Sequence, residues 1–321
     1  MSAINSPSSA NRAPQISFAV ACYNAQPFLG DAIKSALNQR NVDVEVLVVD
    51  DGSSDSSLAE ARSIAERDHR VRVFQTPRNG GPAAARNVAL DQMRGDWFAV
   101  LDSDDILTPE RSQTLLATAF EQGADLIADN LVVFGEGVET HPFLTPDEVG
   151  TGRWIELDEY FSRSQLFSSQ AAFGFLKPMI RTDVLKKSDL RYNEDLRIAE
   201  DDELIVRLLN AGFSYFLAPV AHYQYRKHAN SISHRLSVDN AARMLKAERG
   251  LRELIGTERA QTRAYRQRYA SLERGLAFVT SIEQLQKRRP LAALSTLLKH
   301  PSAALHYRMP IEAKMKRLLG R

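Results

Sequence analysis

The chain has 321 residues, of which 44% are hydrophobic and 25% charged, as is ordinary for a soluble globular protein with a sizeable core. Its one cysteine, Cys22, excludes an internal disulfide and a cysteine-built zinc site, and fits a reducing compartment. The net charge of +1 conceals an asymmetry, because residues 236–321 hold 18 of the 41 basic and 7 of the 40 acidic side chains. That region therefore carries +11 and the preceding residues −10, which predicts two regions with different partners.

Residues 1–14 are rich in Ser, Ala, Asn and Pro and lack the apolar core of a secretory signal, so we expect a disordered tail. Since no run of about 18 apolar residues occurs, the sequence predicts no membrane span. The expected organisation is an α/β domain over residues 15–235, followed by a basic helical region over 236–321.

Apolar runs of strand length alternate with segments of helical spacing as far as residue 133. The predicted strands cover residues 16–22, 44–49, 71–74 and 98–101, and a fifth apolar run covers 124–133. The predicted helices lie around residues 32–37, 58–65, 83–93 and 115–120. This alternation predicts a doubly wound, mostly parallel sheet.

The pattern weakens over residues 134–177, where we expect long loops and short elements. A helix is predicted over 204–209, with Gly212 as its C-terminal stop, and a further strand over 215–218. Beyond Val238 the chain is almost entirely helix-forming, and it is interrupted mainly by prolines.

The apolar run at 98–101 ends in three carboxylates, Asp102, Asp104 and Asp105. Unpaired carboxylates are costly to desolvate, so a cluster at the end of a buried strand calls for a cation or a ligand. Mg²⁺ and Mn²⁺ take oxygen ligands and often share them with substrate phosphates. The pattern predicts a metal–diphosphate site at the carboxyl edge of the sheet. The alternative is a polar loop in which Asp105 or Thr108 caps a helix that begins at Pro109.

Two further acidic groups follow predicted strands or loops. A carboxylate of Asp50-Asp51 can accept the N3–H of a uracil, although the same loop is also typical of a helix N-cap at residues 53–55. In Glu200-Asp201-Asp202, Asp201 is a candidate general base, and the alternative is an acidic first turn that complements the helix dipole.

Three isolated residues have two interpretations each. Tyr23 either stacks on a base or packs in the protein. Arg86, after the turn at residues 79–82, either borders a diphosphate or pairs with an Asp beside an ordinary helix. His228 is either a metal ligand or a surface residue.

In their order along the chain these motifs resemble those of family 2 glycosyltransferases, and the resemblance covers about residues 15–235. The matching segments are residues 20–24, 35–39, 48–55, 79–87, 101–105, 192–196, 199–201 and 225–228. The resemblance implies a GT-A fold, a nucleotide-diphosphate sugar donor, Mg²⁺ or Mn²⁺ as cofactor, and an inverting mechanism.

Carried over by position, the resemblance implies a role for each matched residue. The donor-binding residues would be Ala21, Tyr23, Asp50, Asp51, Arg86, Asp102 and Ser103, with Asp51, Asp50 and Tyr23 at the base. Asp104 would bind the metal together with Asp102 and His228, and Asp201 would be the catalytic base. Two departures stand out: residues 20–22 lack the family's usual proline, and Asp202 replaces a common aromatic residue.

The expected function is inverting transfer of a sugar from a UDP-sugar to a hydroxyl of a glycan or lipid-linked acceptor, in surface polysaccharide synthesis. The expected location is cytoplasmic, extending to the cytoplasmic membrane face. A non-catalytic sugar-nucleotide binding or scaffold protein on the same fold is one alternative. A sugar-nucleotide pyrophosphorylase is another, although the Gly-rich, basic phosphate loop usual there is missing near Val20.

The C-terminal region suggests a membrane surface. Basic residues 287–289 precede an apolar stripe formed by Leu291, Leu294, Leu297 and Leu298, and residues 315–319 repeat the basic–apolar pattern. Basic amphipathic helices bind anionic leaflets. The alternative is a helical cap or a dimer interface, and no nucleic-acid partner is expected because no reading module occurs.

Overall fold

The computed structural model describes residues 14–228 and 236–308. The predicted tail, apart from Pro14, and the basic segment at 315–319 lie outside these residues. Within the described ranges, no helix combines the length and the hydropathy that a membrane span needs.

The strands are β1 (Ile16–Cys22), β2 (Val44–Asp50), β3 (Val71–Gln75), β4 (Trp97–Val100), β5 (Ile106–Leu107), β6 (Leu126–Ala128), β7 (Leu131–Gly135), β8 (Val138–Pro142), β9 (Arg153–Trp154), β10 (Met179–Arg181), β11 (Tyr215–Leu217) and β12 (Tyr223–Lys227). The helices are α1 (Leu29–Leu37), α2 (Ser57–Arg67), α3 (Pro82–Gln92), α4 (Arg111–Gln122), α5 (Pro146–Val149), α6 (Leu157–Arg163), α7 (Thr182–Ser188), α8 (Glu200–Asn210), α9 (Val238–Ala260), α10 (Arg263–Gln286) and α11 (Pro290–Lys299). Short 3₁₀ segments cover Phe173–Phe175 and Pro301–Tyr307.

The large sheet has the strand order β3-β2-β1-β4-β10-β6-β11-β9. Its first four strands pair in parallel around β1, which confirms the predicted doubly wound half. All seven residues of β2 are buried, as expected for a parallel strand covered on both faces. β10 is antiparallel to both of its neighbours, and at three residues it is too short to show a strand period in the sequence.

The fifth apolar run, predicted over residues 124–133, divides into β6 and β7, which belong to two different sheets. The division falls at Asp129 and Asn130, which are both buried. Buried polar groups need partners. Asp129 accepts the backbone N–H groups of His222 and Tyr223, while Asn130 accepts that of Leu144. The chain therefore passes from the large sheet into the four-stranded sheet β5-β12-β7-β8 at this point.

The chain forms two compact units. The first contains the described residues up to Trp154 together with Lys177–Arg191 and Phe213–Lys227, and it holds both sheets. The second contains Ile155–Leu176, Tyr192–Gly212 and the described residues from His228 onward. It includes α6, α8 and the predicted helices after Val238, observed as α9, α10 and α11.

Candidate active site

The candidate donor-binding residues gather where β1, β2 and β4 end. Asp50 is the last residue of β2 and lies opposite Cys22 of β1, while Ala21 lies opposite Val49. The Asp51 N–H donates to the Cys22 carbonyl at 2.8 Å. Asp102 follows β4, which lies on the other side of β1. The carboxyl edge of three adjacent strands therefore carries the acidic residues, where ligands of open α/β sheets bind.

Asp51 is buried and fixes the glycine loop before α3. One carboxylate oxygen accepts the Thr76 hydroxyl at 2.7 Å and the Gly80 N–H at 2.8 Å, and the other accepts the Gly81 N–H at 2.6 Å. Gly81 has φ +86°, a conformation that side chains rarely adopt. A Cβ at Gly80 would lie only 2.6 Å from the Ala84 Cβ. Asp51 thus shapes the turn that precedes α3, the helix that carries Arg86. The sequence did not suggest this role.

Asp50 retains an acceptor that the fold does not use. Its Oδ2 accepts the N–H groups of Gly52 and Ser53, both at 3.3 Å. Its Oδ1 is buried and has no hydrogen-bond partner among the described residues. A buried acceptor of this kind is costly unless a ligand or water donates to it. Nearby in the chain, the Tyr23 side chain is 49% exposed.

An acidic loop, residues 102–105, follows β4. Its first residue, Asp102, is held between two cations. The Arg86 guanidinium donates to its Oδ1 at 2.8 Å, and the Lys177 ammonium lies 2.9 Å from its Oδ2. Burial opposes ionisation, but the charges of Lys177 and Arg86 outweigh it and hold the pKa of Asp102 below its ordinary value. Arg86 therefore forms an Arg–Asp pair, which was the alternative to a diphosphate contact. The sequence did not indicate Lys177, which ends the stretch at 134–177 where the pattern of elements weakens.

Asp105 anchors the acidic loop and caps no helix. Its carboxylate accepts the Tyr223 hydroxyl at 2.8 Å and the Arg226 N–H at 2.7 Å. The same Tyr223 oxygen accepts the Asp102 N–H at 3.1 Å. Burial, followed by the charges of Asp102 and Asp104, raises the pKa of Asp105 well above its ordinary value. The alternative, in which Asp105 or Thr108 caps a helix that begins at Pro109, is wrong, since α4 begins at Arg111 without a side-chain cap.

Asp104 and Ser103 lie between these anchors and are half-buried. The Asp104 carbonyl accepts the Arg226 Nε–H at 2.7 Å, and the Arg226 guanidinium lies over the rings of Phe28 and Phe134. The backbone on both sides of the Asp104 side chain is therefore fixed.

A buried ion pair fixes the backbone of residues that contact this loop. Arg111 Nε lies 2.9 Å from Asp129 Oδ1, and the two side chains are 0% and 1% exposed. Arg111 also donates to the Lys177 carbonyl at 2.6 Å. Asp129 accepts the Tyr223 N–H at 3.0 Å. The pair thus holds the backbones of Lys177 and Tyr223, both of which reach Asp102 with their side chains.

The donor set suits a hard divalent cation. Carboxylate oxygens are the ligands that Mg²⁺ and Mn²⁺ prefer, and such ions are commonly held by one or two carboxylates plus substrate phosphates. In the part of the chain that the structure describes, no group of three or more acidic, His or Cys side chains could hold an ion by itself. Asp104 with Asp102 therefore fits a cation that takes its other ligands from a diphosphate and water.

The remaining predicted residues belong to the second unit. Asp201 is the second residue of α8, whose first turn contains four acidic side chains. Ala199, immediately before this helix, has φ +63° and provides no side-chain cap. A non-glycine residue in this left-handed conformation costs free energy and marks a locally constrained site. His228 directly follows β12 along the chain.

The fold is that of an open α/β protein, a class in which ligands bind where the carboxyl ends of the strands meet. Residues 17–182 match the family described as Glycosyl transferase family 2. The chain is 34% identical to the succinoglycan biosynthesis protein ExoO of Rhizobium meliloti, over 98% of this chain and 90% of that protein. It is 33% identical to ExoU of the same organism, over 72% and 68% of the two chains. The chain therefore belongs to glycosyl transferase family 2, and the protein is a glycosyltransferase.

Solved structures confirm the GT-A-like fold. The crystal structure of S. aureus TarS 1–349 with UDP-GlcNAc matches with a TM-score of 0.59 and 22% identity, covering 84% of this chain and 72% of that one. The mannosyltransferase PcManGT from Pyrobaculum calidifontis, solved with GDP-Man and Mn²⁺, matches with a TM-score of 0.58 and 15% identity. That match covers 95% of this chain and 81% of the other.

Proposed function

We propose that this glycosyltransferase moves a sugar, with inversion, from a UDP-sugar to a hydroxyl of a glycan or lipid-linked acceptor in surface polysaccharide synthesis. The observation that carries the proposal is the acidic edge of β1, β2 and β4, with Asp102 clamped by Arg86 and Lys177. The similarity to ExoO and ExoU supports polysaccharide synthesis. The fold shared with TarS, which was solved with UDP-GlcNAc, makes a UDP-sugar the first donor to test.

The nucleotide would lie at the ends of β1 and β2. Asp50 Oδ1 offers an acceptor that no described residue uses, as a uracil N3–H would require. The half-exposed Tyr23 ring offers a stacking surface, and Asp51 and Ala21 complete the pocket for the base. Asp102 and Ser103 follow at the ribose.

The diphosphate would lie at the acidic loop. Asp104, with Asp102 and His228, would hold the Mg²⁺ or Mn²⁺ ion. Such an ion neutralises charge on the departing diphosphate. Arg86, in the second turn of α3, adds a fixed positive charge beside the same loop.

Asp201 would act as the general base. It would take the proton of an acceptor hydroxyl while the oxygen attacks the anomeric carbon. The new C–O bond forms as the bond to the diphosphate breaks, and UDP leaves with that electron pair. Attack from the opposite face inverts the carbon, so an α-linked UDP-sugar gives a β-linkage.

The deciding experiment measures UDP release from a panel of UDP- and GDP-sugars with Mg²⁺ or Mn²⁺, in the presence of an acceptor extract. Asp201→Asn should abolish acceptor-dependent release while UDP affinity stays unchanged. Asp239→Asn is the matched control, since Asp239 is an exposed partner of Arg243 and should retain wild-type release. Asp104→Ala should lose the affinity for UDP that EDTA removes from the wild type.

Wild-type release by Asp201→Asn would remove that residue from the role of base. UDP affinity that neither EDTA nor Asp104→Ala alters would contradict the metal assignment. Nucleotide-sugar binding without turnover of any donor would favour the non-catalytic alternative.

We also propose a cytoplasmic location at the membrane face. Three leucines of α11 are strongly exposed: Leu291 at 83%, Leu294 at 54% and Leu298 at 74%. Basic residues 287–289 immediately precede this helix. An exposed apolar stripe next to basic residues fits the surface of an anionic bilayer.

A further inference from the structure

We infer that Arg268 is a positioning residue for Asp201, acting through Asp202. The inference rests on the proposed role of Asp201 as base. It gives the C-terminal helices α9 and α10 a role in holding α8, besides the proposed membrane binding of α11. All of the residues involved belong to the second compact unit.

Arg268 of α10 joins two carboxylates from different helices. Its Nη2 lies 2.7 Å from Asp202 Oδ2 of α8. Its Nε donates to Glu248 Oε1 at 3.0 Å, and its Nη2 donates to Glu248 Oε2 at 2.9 Å. Glu248 lies on α9, so one guanidinium connects α8 to both long C-terminal helices. A forked pair of this kind fixes orientation as well as distance.

The network is buried. The side chains of Arg268, Glu248 and Asp202 are 5%, 3% and 13% exposed. Burial opposes the charge of Arg268, but Asp202 and Glu248 outweigh it and hold the pKa of Arg268 well above its ordinary value. The guanidinium of Arg268 therefore stays charged at neutral pH, and a buried ion pair has few alternative geometries.

Gly174 also confines Asp202. A Cβ added at Gly174 would lie 3.0 Å from Asp202 Oδ1 and 3.1 Å from its Cβ. A methyl group at residue 174 would therefore require Asp202 to shift by a few tenths of an ångström. A cavity of about 20 Å³ beside Arg268 and Asp202 is large enough for one water molecule, which suits the buried Arg268 Nη1 that has no partner among the described residues.

The start of α8 needs this support. Ala199 is held at φ +63° and offers no capping side chain. A residue in a strained backbone conformation persists only where contacts with its surroundings hold it there. The Asp202–Arg268 pair lies one residue from Asp201 and supplies that restraint. Asp202, which departs from the family's usual aromatic residue, thus has a structural purpose in this chain.

The test uses Arg268→Met, Arg268→Lys and Asp202→Asn in the full-length protein. Arg259→Met is the matched control, because Arg259 is exposed and contacts Asn210 at the other end of α8. Arg268→Met and Asp202→Asn should lower kcat at least tenfold while the Kd for UDP with Mn²⁺ changes less than twofold. Arg268→Lys should recover part of the loss, and the control should behave as wild type.

Hydrogen exchange measured by mass spectrometry provides a readout independent of turnover. Peptides from α8 should exchange about tenfold faster in Arg268→Met and Asp202→Asn, while peptides covering β4 and the acidic loop should not change. Asp202→Asn preserves the shape of the side chain and serves if Arg268→Met does not fold. Unaltered α8 exchange, or parallel loss of kcat and UDP affinity, would overturn the inference. Faster α8 exchange with undiminished kcat would also overturn the catalytic connection. If Asp201→Asn keeps wild-type release, the proposed role of Asp201 as base fails, and this outcome is distinct from those that test Arg268.

Discussion

Asp102 and Asp105 are three residues apart, yet their surroundings move their pKa values in opposite directions. Two cations lower that of Asp102, whereas burial and neighbouring carboxylates raise that of Asp105. Carboxyl groups with divergent pKa values often have different tasks within one site. Asp102 stays charged between Arg86 and Lys177, while Asp105 holds the loop through Tyr223 and the Arg226 N–H.

Lys177 should tune the metal affinity of the loop. In Lys177→Met the acidic loop loses a positive charge, so Mn²⁺ should bind more tightly. A unit charge at about 4 Å is worth about 1 kcal/mol even in water, or about fivefold in affinity. Titration calorimetry with Mn²⁺ measures the effect. Lys187→Met, which removes an exposed lysine paired with Asp183, is the control and should leave the affinity unchanged. Weaker binding in Lys177→Met would mean that Lys177 chiefly shapes the loop.

Cys22 should resist thiol reagents in the native state. Burial raises the pKa of its thiol to about 11, against the opposing hydrogen bonds of Ser53 and Ser57. At about pH 8 the thiolate fraction is then roughly two hundredfold below that of an unfolded cysteine. Labelling with a chromogenic disulfide should be slow in the native protein and fast in denaturant. As Cys22 is the chain's one cysteine, the signal has no other source. Rapid labelling of the native protein would contradict the burial of Cys22 at the end of β1.

Among the elements, the short strand β12 connects the acidic loop to the rest of its unit. Tyr223 and Arg226 reach the loop from this strand, and the Arg111–Asp129 pair holds the start of the strand. The position of the loop therefore depends on a buried pair formed by α4 and the segment after β6.

Arg111→Met should destabilise the protein by about 3–5 kcal/mol, because it leaves Asp129 buried without a counter-charge. Arg40→Met is the control, since the Arg40–Glu110 pair is 65% and 45% exposed. Exposed pairs contribute about 1 kcal/mol or less. Chemical denaturation of both variants measures the difference. Equal stability of the two variants would show that Asp129 finds other compensation.

The parallel half of the sheet could be predicted because β1, β2 and β4 are continuous apolar runs that end in polar turns. The same feature located Asp50, Asp51 and Asp102 at one edge, since parallel strands end on the same side. β10 and β12 could not be predicted, because short or polar strands carry no clear period. Lys177 was missed for a related reason: its contact with Asp102 spans 75 positions and depends on how the strands pair.

At the scale of the molecule, residues 236–308 of the basic C-terminal region are part of a compact unit that also contains α8 and Asp201. A chain shortened near Arg235 would lose Glu248 and Arg268 and leave Asp202 without its partner. Substitutions are therefore a cleaner test of membrane binding than truncation.

Replacement of Leu291, Leu294 and Leu298 by serine should reduce flotation with phosphatidylglycerol vesicles at least tenfold. Each leucine buried in a bilayer contributes roughly 1.5–3 kcal/mol. Phe120→Ser is the control, because Phe120 is 91% exposed on α4 in the other unit. Undiminished flotation would favour the helical cap or dimer interface over the membrane surface.

The second unit is assembled from three stretches of chain that alternate with those of the first. A hybrid of two related proteins must therefore take all three stretches of a unit from the same parent. A chimaera that exchanges only the helices after residue 236 would separate Arg268 from the Asp202 that it contacts. Transplanting residues 155–176 and 192–212 along with those helices keeps the pair and Gly174 together.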